Sequence, residues 1–206
     1  METIDGVENT RGDIMKGVRW ALIFLSMIVM FGCARGTKPP PSGTLEKARV
    51  YHKKGVSLSR EGRFQKALSA FKKAVSLDPD YGKAYYNMGI AYTELDRVEK
   101  AIEAYRTAIE INPRDAAAHM NLGNVFLRQG QLSAAVIELE EAVKIDPTYG
   151  LARHNLAYAY FSARMYHRAW DQLNELELLG IAPEADLRDA VAAALNVEQG
   201  AVEEEK

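Results

Sequence analysis

The chain has 206 residues, 48% of them apolar and 26% charged, a balance that can bury a core and excludes disorder throughout. Lys and Arg number 26 against 28 Asp and Glu, a net charge of −2, so nothing in the charge balance points to nucleic acid as a partner. The one cysteine excludes an intramolecular disulfide and any multi-cysteine zinc or iron–sulfur site.

The longest uncharged apolar run is Trp20 to Phe31. It is shorter than the roughly 20 residues a spanning helix needs, and it suits the apolar region of a signal peptide. Lys16 and Arg19 precede it, and the small residues Gly32 and Ala34 flank Cys33. Glu2, Asp5, Glu8 and Asp13 do not fit a basic leader, whereas a start at Met15 does, so residues 1–14 read as a gene-start artefact. Met30-Phe31-Gly32-Cys33 resembles the lipobox of bacterial lipoproteins, with Met30 and Phe31 departing from the usual residues. The resemblance implies a signal peptide over 15–33, lipidation of Cys33 and, with Ala34 rather than Asp after the cysteine, an outer-membrane destination. A single N-terminal transmembrane anchor is the alternative. Three successive prolines, Pro39 to Pro41, then make residues 34–47 an extended tether.

From residue 48 the chain repeats. Pro79, Pro113 and Pro147 are 34 residues apart, as are Gly55, Gly89 and Gly123, with Ala157 in the next place. Ala67, Ala101, Ala135 and Ala169 keep the same interval, and so do Ala74, Ala108 and Ala142. The units fall at 48–81, 82–115, 116–149 and 150–183. Within the second, Tyr85, Met88, Gly89 and Tyr92 lie on one helix face. Leu95-Asp96-Arg97 makes a turn, and Ala101, Ala104, Tyr105 and Ala108 form a second face. Asn112-Pro113 ends that helix, because proline lacks the N–H the ladder needs and biases its predecessor away from helix. One hairpin cannot bury its apolar face alone, so the units must stack.

Residues 184–199 form another amphipathic stretch. Leu187, Val191, Ala194 and Leu195 lie on one side, with Arg188 and Asp189 on the other. It should cap the stack, leaving 200–206 as a solvated tail. Chemistry-bearing motifs do not emerge. His52, His119, His154 and His167 show no His-Glu-x-x-His spacing, and neither a phosphate loop nor a Gly-x-Ser-x-Gly elbow occurs. The expectation is a protein that is not an enzyme and takes no cofactor, metal or small-molecule substrate.

The order of residue types resembles the tetratricopeptide repeat. In the second unit Tyr85, Met88, Gly89, Tyr92, Ala101, Tyr105, Ala108 and Pro113 fill that family's signature positions. The third has His119 for the first aromatic but keeps Leu122, Gly123, Phe126, Ala135, Leu139, Ala142 and Pro147. The first departs at Lys54, and the fourth at Arg153, Leu176 and Ile181 while keeping Leu156, Tyr160, Ala169 and Leu173. The resemblance implies an all-α right-handed solenoid of four helix-turn-helix repeats plus a C-terminal capping helix. It also implies a concave groove lined by the first helix of each repeat, holding a partner's peptide or helix.

Carried over by position, that groove presents His52, Tyr86, Met120 and His154 in one row and Val56, Ile90, Asn124 and Tyr158 in a second. Lys53, Asn87, Asn121 and Asn155 lie beside them. The amides either contact a ligand or brace adjacent helices, and Tyr86 and Tyr158 either face the partner or pack on the cap or tether. Members that clamp a C-terminal carboxylate use paired Lys, Asn and Arg in those two rows, where this chain has His/Val, Tyr/Ile, Met/Asn and His/Tyr, so a chaperone-tail receptor is not expected. The chain looks like a lipid-anchored, periplasm-facing scaffold similar to type IV pilus assembly lipoproteins. An adaptor for a periplasmic protease and a regulator of a cell-wall enzyme are the alternatives.

Overall fold

The computed structural model describes residues 43–204, and there the chain is helical, without strands. Residues 1–42 lie outside, and with them the expected signal peptide, Cys33 and most of the tether. Nine helices are found among the described residues: α1 Thr44–Arg60, α2 Phe64–Leu77, α3 Gly82–Glu94, α4 Val98–Ile111, α5 Ala116–Arg128, α6 Leu132–Ile145, α7 Gly150–Ser162, α8 Tyr166–Leu178 and α9 Ala185–Glu204. They pair as four antiparallel hairpins, α1/α2 to α7/α8, each stacked on the next, with α9 packed on α8. None is long and apolar enough to cross a membrane.

The hairpins share their turns as well as their helices. Each first helix closes with a backbone bond that spans five residues: Arg63 N to Leu58 O, Arg97 N to Tyr92 O, Gln131 N to Phe126 O and Met165 N to Tyr160 O, at 2.8–2.9 Å. This bond needs a left-handed residue just before its donor. Gly62, Asp96, Gly130 and Arg164 supply it, with φ of 72°, 53°, 71° and 59°. Glycine adopts that conformation freely, whereas a side chain makes it costly. Second helices end differently. Asp78, Asn112 and Asp146 leave the helical region (φ −139°, −132° and −130°) because a proline follows each. The fourth unit has Ile181 where that proline would stand, and α8 ends through Gly180 at φ 73° with Ile181 N bonded to Leu176 O.

Within a hairpin the helices approach where a glycine meets a large residue. A Cβ on Gly55 would lie 2.4 Å from the Phe71 ring, one on Gly89 2.5 Å from Tyr105, and one on Gly123 2.7 Å from Leu139. In the fourth hairpin these two places hold Ala157 and Leu173, both fully buried. Two cores result. Leu68, Phe71, Met88, Tyr92, Tyr105, Leu122 and Phe126 centre the first. Leu139, Leu156, Tyr160, Leu173 and Leu176 centre the second, which α9 completes with Leu187 and Val191. Among the described residues both cores draw on side chains between Val56 and Leu195, all within Pro41–Lys206, which forms a compact unit.

Three boundaries and placements differ from the sequence expectation. Helix α1 begins at Thr44, so residues 44–47 are helical rather than tether; Glu46 in the first turn suits the positive end of the helix dipole. Helix α9 continues past residue 199 to Glu204. Arg188, expected on the solvated side, lies with its guanidinium 4.6 Å from the Trp170 ring centroid and its Nη1 2.6 Å from Glu177 Oε1. An aromatic face on α8 holds the cation that the helix pattern alone assigns to water.

Candidate functional site: the row of first helices

First helices of successive hairpins touch one another, α1 with α3, α3 with α5 and α5 with α7. That closeness places them on the inner side of the stack and makes their shared surface the candidate site. Amide side chains tie this row together. Asn87 Nδ2 donates to His52 Nε2 at 2.9 Å, Asn121 Nδ2 to the Tyr86 hydroxyl at 3.1 Å, and Asn155 Nδ2 to Asn124 Oδ1 at 2.9 Å. Each bond joins one hairpin to the hairpin before it. Of the two roles open to these asparagines, bracing is the one seen.

Asn87 Nδ2 also donates to Lys83 O at 2.8 Å, which occupies both its hydrogens. His52 must then accept at Nε2 and carry its proton on Nδ1, 3.2 Å from the Tyr81 hydroxyl. The neutral ring is also favoured electrostatically: burial, and then the Lys83 charge, hold the His52 pKa below its ordinary value. Burial raises the Tyr86 phenol, and it pushes Tyr105, whose ring lies 6.1 Å from that of Tyr86, up to about 12.

The remaining candidates separate by exposure. Val56 and Ile90 are half-buried and pack on the first core, and Lys53 is exposed. Met120 corrects the expectation: at 4% exposure it belongs to the second core and presents nothing at the surface. It is flexible and apolar to its tip, and it lacks the polar end that keeps Tyr86 and His52 at the rim. His154 is half-buried, its Nε2 3.6 Å from Glu184 Oε2. Tyr158 is 51% exposed. Sequence reasoning missed Leu151, 55% exposed and seven residues before Tyr158 on the same side of α7. The signal for it was there, an apolar residue where α3 has Lys83 and α5 has Ala117.

A family model for the TPR repeat matches residues 48–96, 91–130 and 123–163, more than half of the chain. The chain belongs to the tetratricopeptide repeat family. Among solved structures its fold resembles that of MamA (TM-score 0.62, 23% identity, 87% of this chain and 96% of that one). It also resembles the first TPR of Spaghetti (RPAP3) bound to the HSP90 peptide SRMEEVD (TM-score 0.57, 21% identity, 58% and 95%). A third likeness is to the O-GlcNAc transferase of Thermobaculum terrenum (TM-score 0.58, 24% identity, 65% and 27%). No curated protein sequence matches the chain.

In this tetratricopeptide repeat protein the two departures at the first aromatic position share one solution. His119 places Nδ1 2.7 Å from Glu138 Oε2 and Nε2 3.3 Å from Pro113 O. Arg153, one repeat later, donates from Nη1 to Gln172 Oε1 and from Nε to Pro147 O, both at 2.9 Å. Both reach the carbonyl of the preceding proline and an acceptor on the second helix of their own hairpin. The bond to Glu138 raises the His119 pKa against the opposing effect of burial. A buried polar side chain is tolerated here because its hydrogen bonds are made.

Proposed function

We propose that this repeat protein is a membrane-tethered scaffold that binds a partner protein along its row of first helices, with α7 as the main anchor. The observation that carries the reading is the pair Leu151 and Tyr158, each more than half exposed on one face of a helix whose other face is in the core. Apolar side chains spaced in this way on an inner surface suit an amphipathic helix or an extended peptide. Asn87, Asn121 and Asn155 and their partners are spent on bracing, which leaves Leu151 and Tyr158 as the exposed apolar pair of α7. The RPAP3 domain, similar in fold, is bound to an acidic peptide ending in a carboxylate. The paired positions of this row hold His52/Val56, Tyr86/Ile90, the buried Met120 with Asn124, and His154/Tyr158 in place of a cationic clamp, which favours apolar recognition.

The tethering half of the reading rests on sequence: Trp20 to Phe31, Gly32-Cys33 and the prolines that follow. A lipidated Cys33 would hold the solenoid at a bacterial envelope membrane facing the periplasm, where stacking hairpins could support assembly of a larger machine such as a type IV pilus. Labelled palmitate should enter the wild type and not Cys33→Ser; equal labelling would remove the lipid anchor. For the groove, Leu151→Asp combined with Tyr158→Asp should weaken capture of the partner recovered from solubilised membranes by at least about tenfold. Helix content should remain unchanged, since both residues are exposed. Undiminished capture would move the site elsewhere.

A further inference from the structure

We infer that the units associate head to tail, the open face of the first hairpin in one copy docking on the outer face of α9 in a second. Tyr51, Lys54 and Leu58 of α1 occupy the positions at which Tyr85, Met88 and Tyr92 of α3 meet the hairpin before them. Stacking faces of this kind are covered in the other three hairpins. In the first, nothing among the described residues covers it, and a recess of about 290 Å³ lies between α1 and α2, with Lys66, Ala70 and Lys73 on its α2 side.

Charge selects the occupant. Residues 44–77, which make α1, α2 and the turn between them, carry nine Lys and Arg against two Glu. At the recess Arg63 is paired with Glu61 at 2.8 Å, whereas Lys54, Lys66 and Lys73 are exposed and make no ion pair among the described residues. The Lys73 ammonium lies 5.5 Å from the Tyr51 ring centroid. At the other end of the stack, Glu184 and α9 together carry six Asp and Glu against Arg188. With Leu187 and Val191 turned into the core, Asp186, Asp189 and Ala193 lie on the exposed side of α9. A second copy would therefore meet the basic stacking face with a small-residue helix of opposite charge, in the position of one more second helix. The contact joins two different surfaces, so it builds open chains or rings rather than closed twofold dimers. It also extends the row of first helices from one copy to the next.

Sedimentation velocity of residues 41–206 tests this directly. At about 50 mM salt the mass should rise with concentration into the range of about 100 µM, and it should fall back to monomer at about 500 mM as screening shortens. Lys54→Glu/Lys66→Glu/Lys73→Glu and Asp186→Lys/Asp189→Lys should each weaken association by at least about tenfold. An equimolar mixture of the two should restore it, because each reversed end then meets its complement. A unit that stays monomeric at low salt, or folded variants whose mixture fails to associate, would overturn the inference. So would retention on anionic phospholipid vesicles by a unit that remains monomeric, which would give the basic face to a membrane.

Discussion

Tyr51 and Tyr85, in the first two hairpins, are matched nineteen residues later by Ala70 and Ala104, whereas His119 and Arg153, in the last two, are matched by Glu138 and Gln172. The early half fills the position with an aromatic ring and makes room for it with a methyl group. The later half fills it with a polar side chain and supplies an acceptor at the same offset. The Gly55/Phe71, Gly89/Tyr105, Gly123/Leu139 and Ala157/Leu173 series changes in the same direction: the facing residue shrinks and then a methyl returns. A stack of hairpins thus holds its geometry while each position trades volume or hydrogen bonds with one fixed partner. The unit of constraint is the pair, and one residue of it reads as a departure from the family only when its partner is ignored.

Breaking a polar pair should have the largest effect. Arg153→Ala leaves Gln172 and Pro147 O without their donor and should cost about 3 kcal/mol by urea denaturation. Arg153→Tyr with Gln172→Ala transplants the second hairpin's solution and should recover most of what Arg153→Tyr alone loses. Additive effects in that cycle would show that the two positions do not form a unit. The close approaches come next. Gly89→Ala forces the Tyr105 ring to move and should cost about 2 kcal/mol, whereas Ala157→Gly should cost about 1 kcal/mol, from helix propensity and lost packing. Equal costs would mean that the glycine register is not set by the facing residue.

The turns give a smaller contrast. Arg164→Gly relieves a left-handed non-glycine residue and should stabilise by about 1 kcal/mol, while Gly130→Ala at the same place one repeat earlier should destabilise by a similar amount.

The smallest effect is a pH response that differs in sign between the halves. The His52 pKa is lowered, so its contribution is complete above the unfolded value of 6.5 and is lost as pH falls through the folded value below it. That of His119 is raised, so its contribution is complete below 6.5 and is lost as pH rises through the folded value above it. Amide exchange resolved by hairpin should therefore show α1–α3 gaining protection as pH rises toward 6.5, and α5–α6 losing it as pH rises beyond 6.5. A common direction in both would contradict the hydrogen bonds assigned to the two rings.

The hairpins were legible in the sequence because proline, glycine and alanine each impose a backbone or steric requirement that recurs every 34 residues. The turn register at Gly62, Asp96, Gly130 and Arg164 recurs as strictly, yet only two of its four residues announce a left-handed conformation. Site residues were less legible. Whether Met120 faces the rim or the core depends on neighbours two helices away, and its helix position equals that of Tyr86. The bracing by Asn87, Asn121 and Asn155 needed inter-repeat distances to be distinguished from ligand contact. Leu151 was hidden because one leucine on a helix reads as core until its exposure is known.

The central claim, that the first-helix row at α7 receives a partner, is tested most directly by site-specific photocrosslinking in cells. A crosslinker at Tyr158 should yield a discrete adduct, and one at Ile137, a more exposed apolar position on the second helix α6, should not. Adducts of the same mass and yield from both positions, or from Ile137 alone, would contradict it.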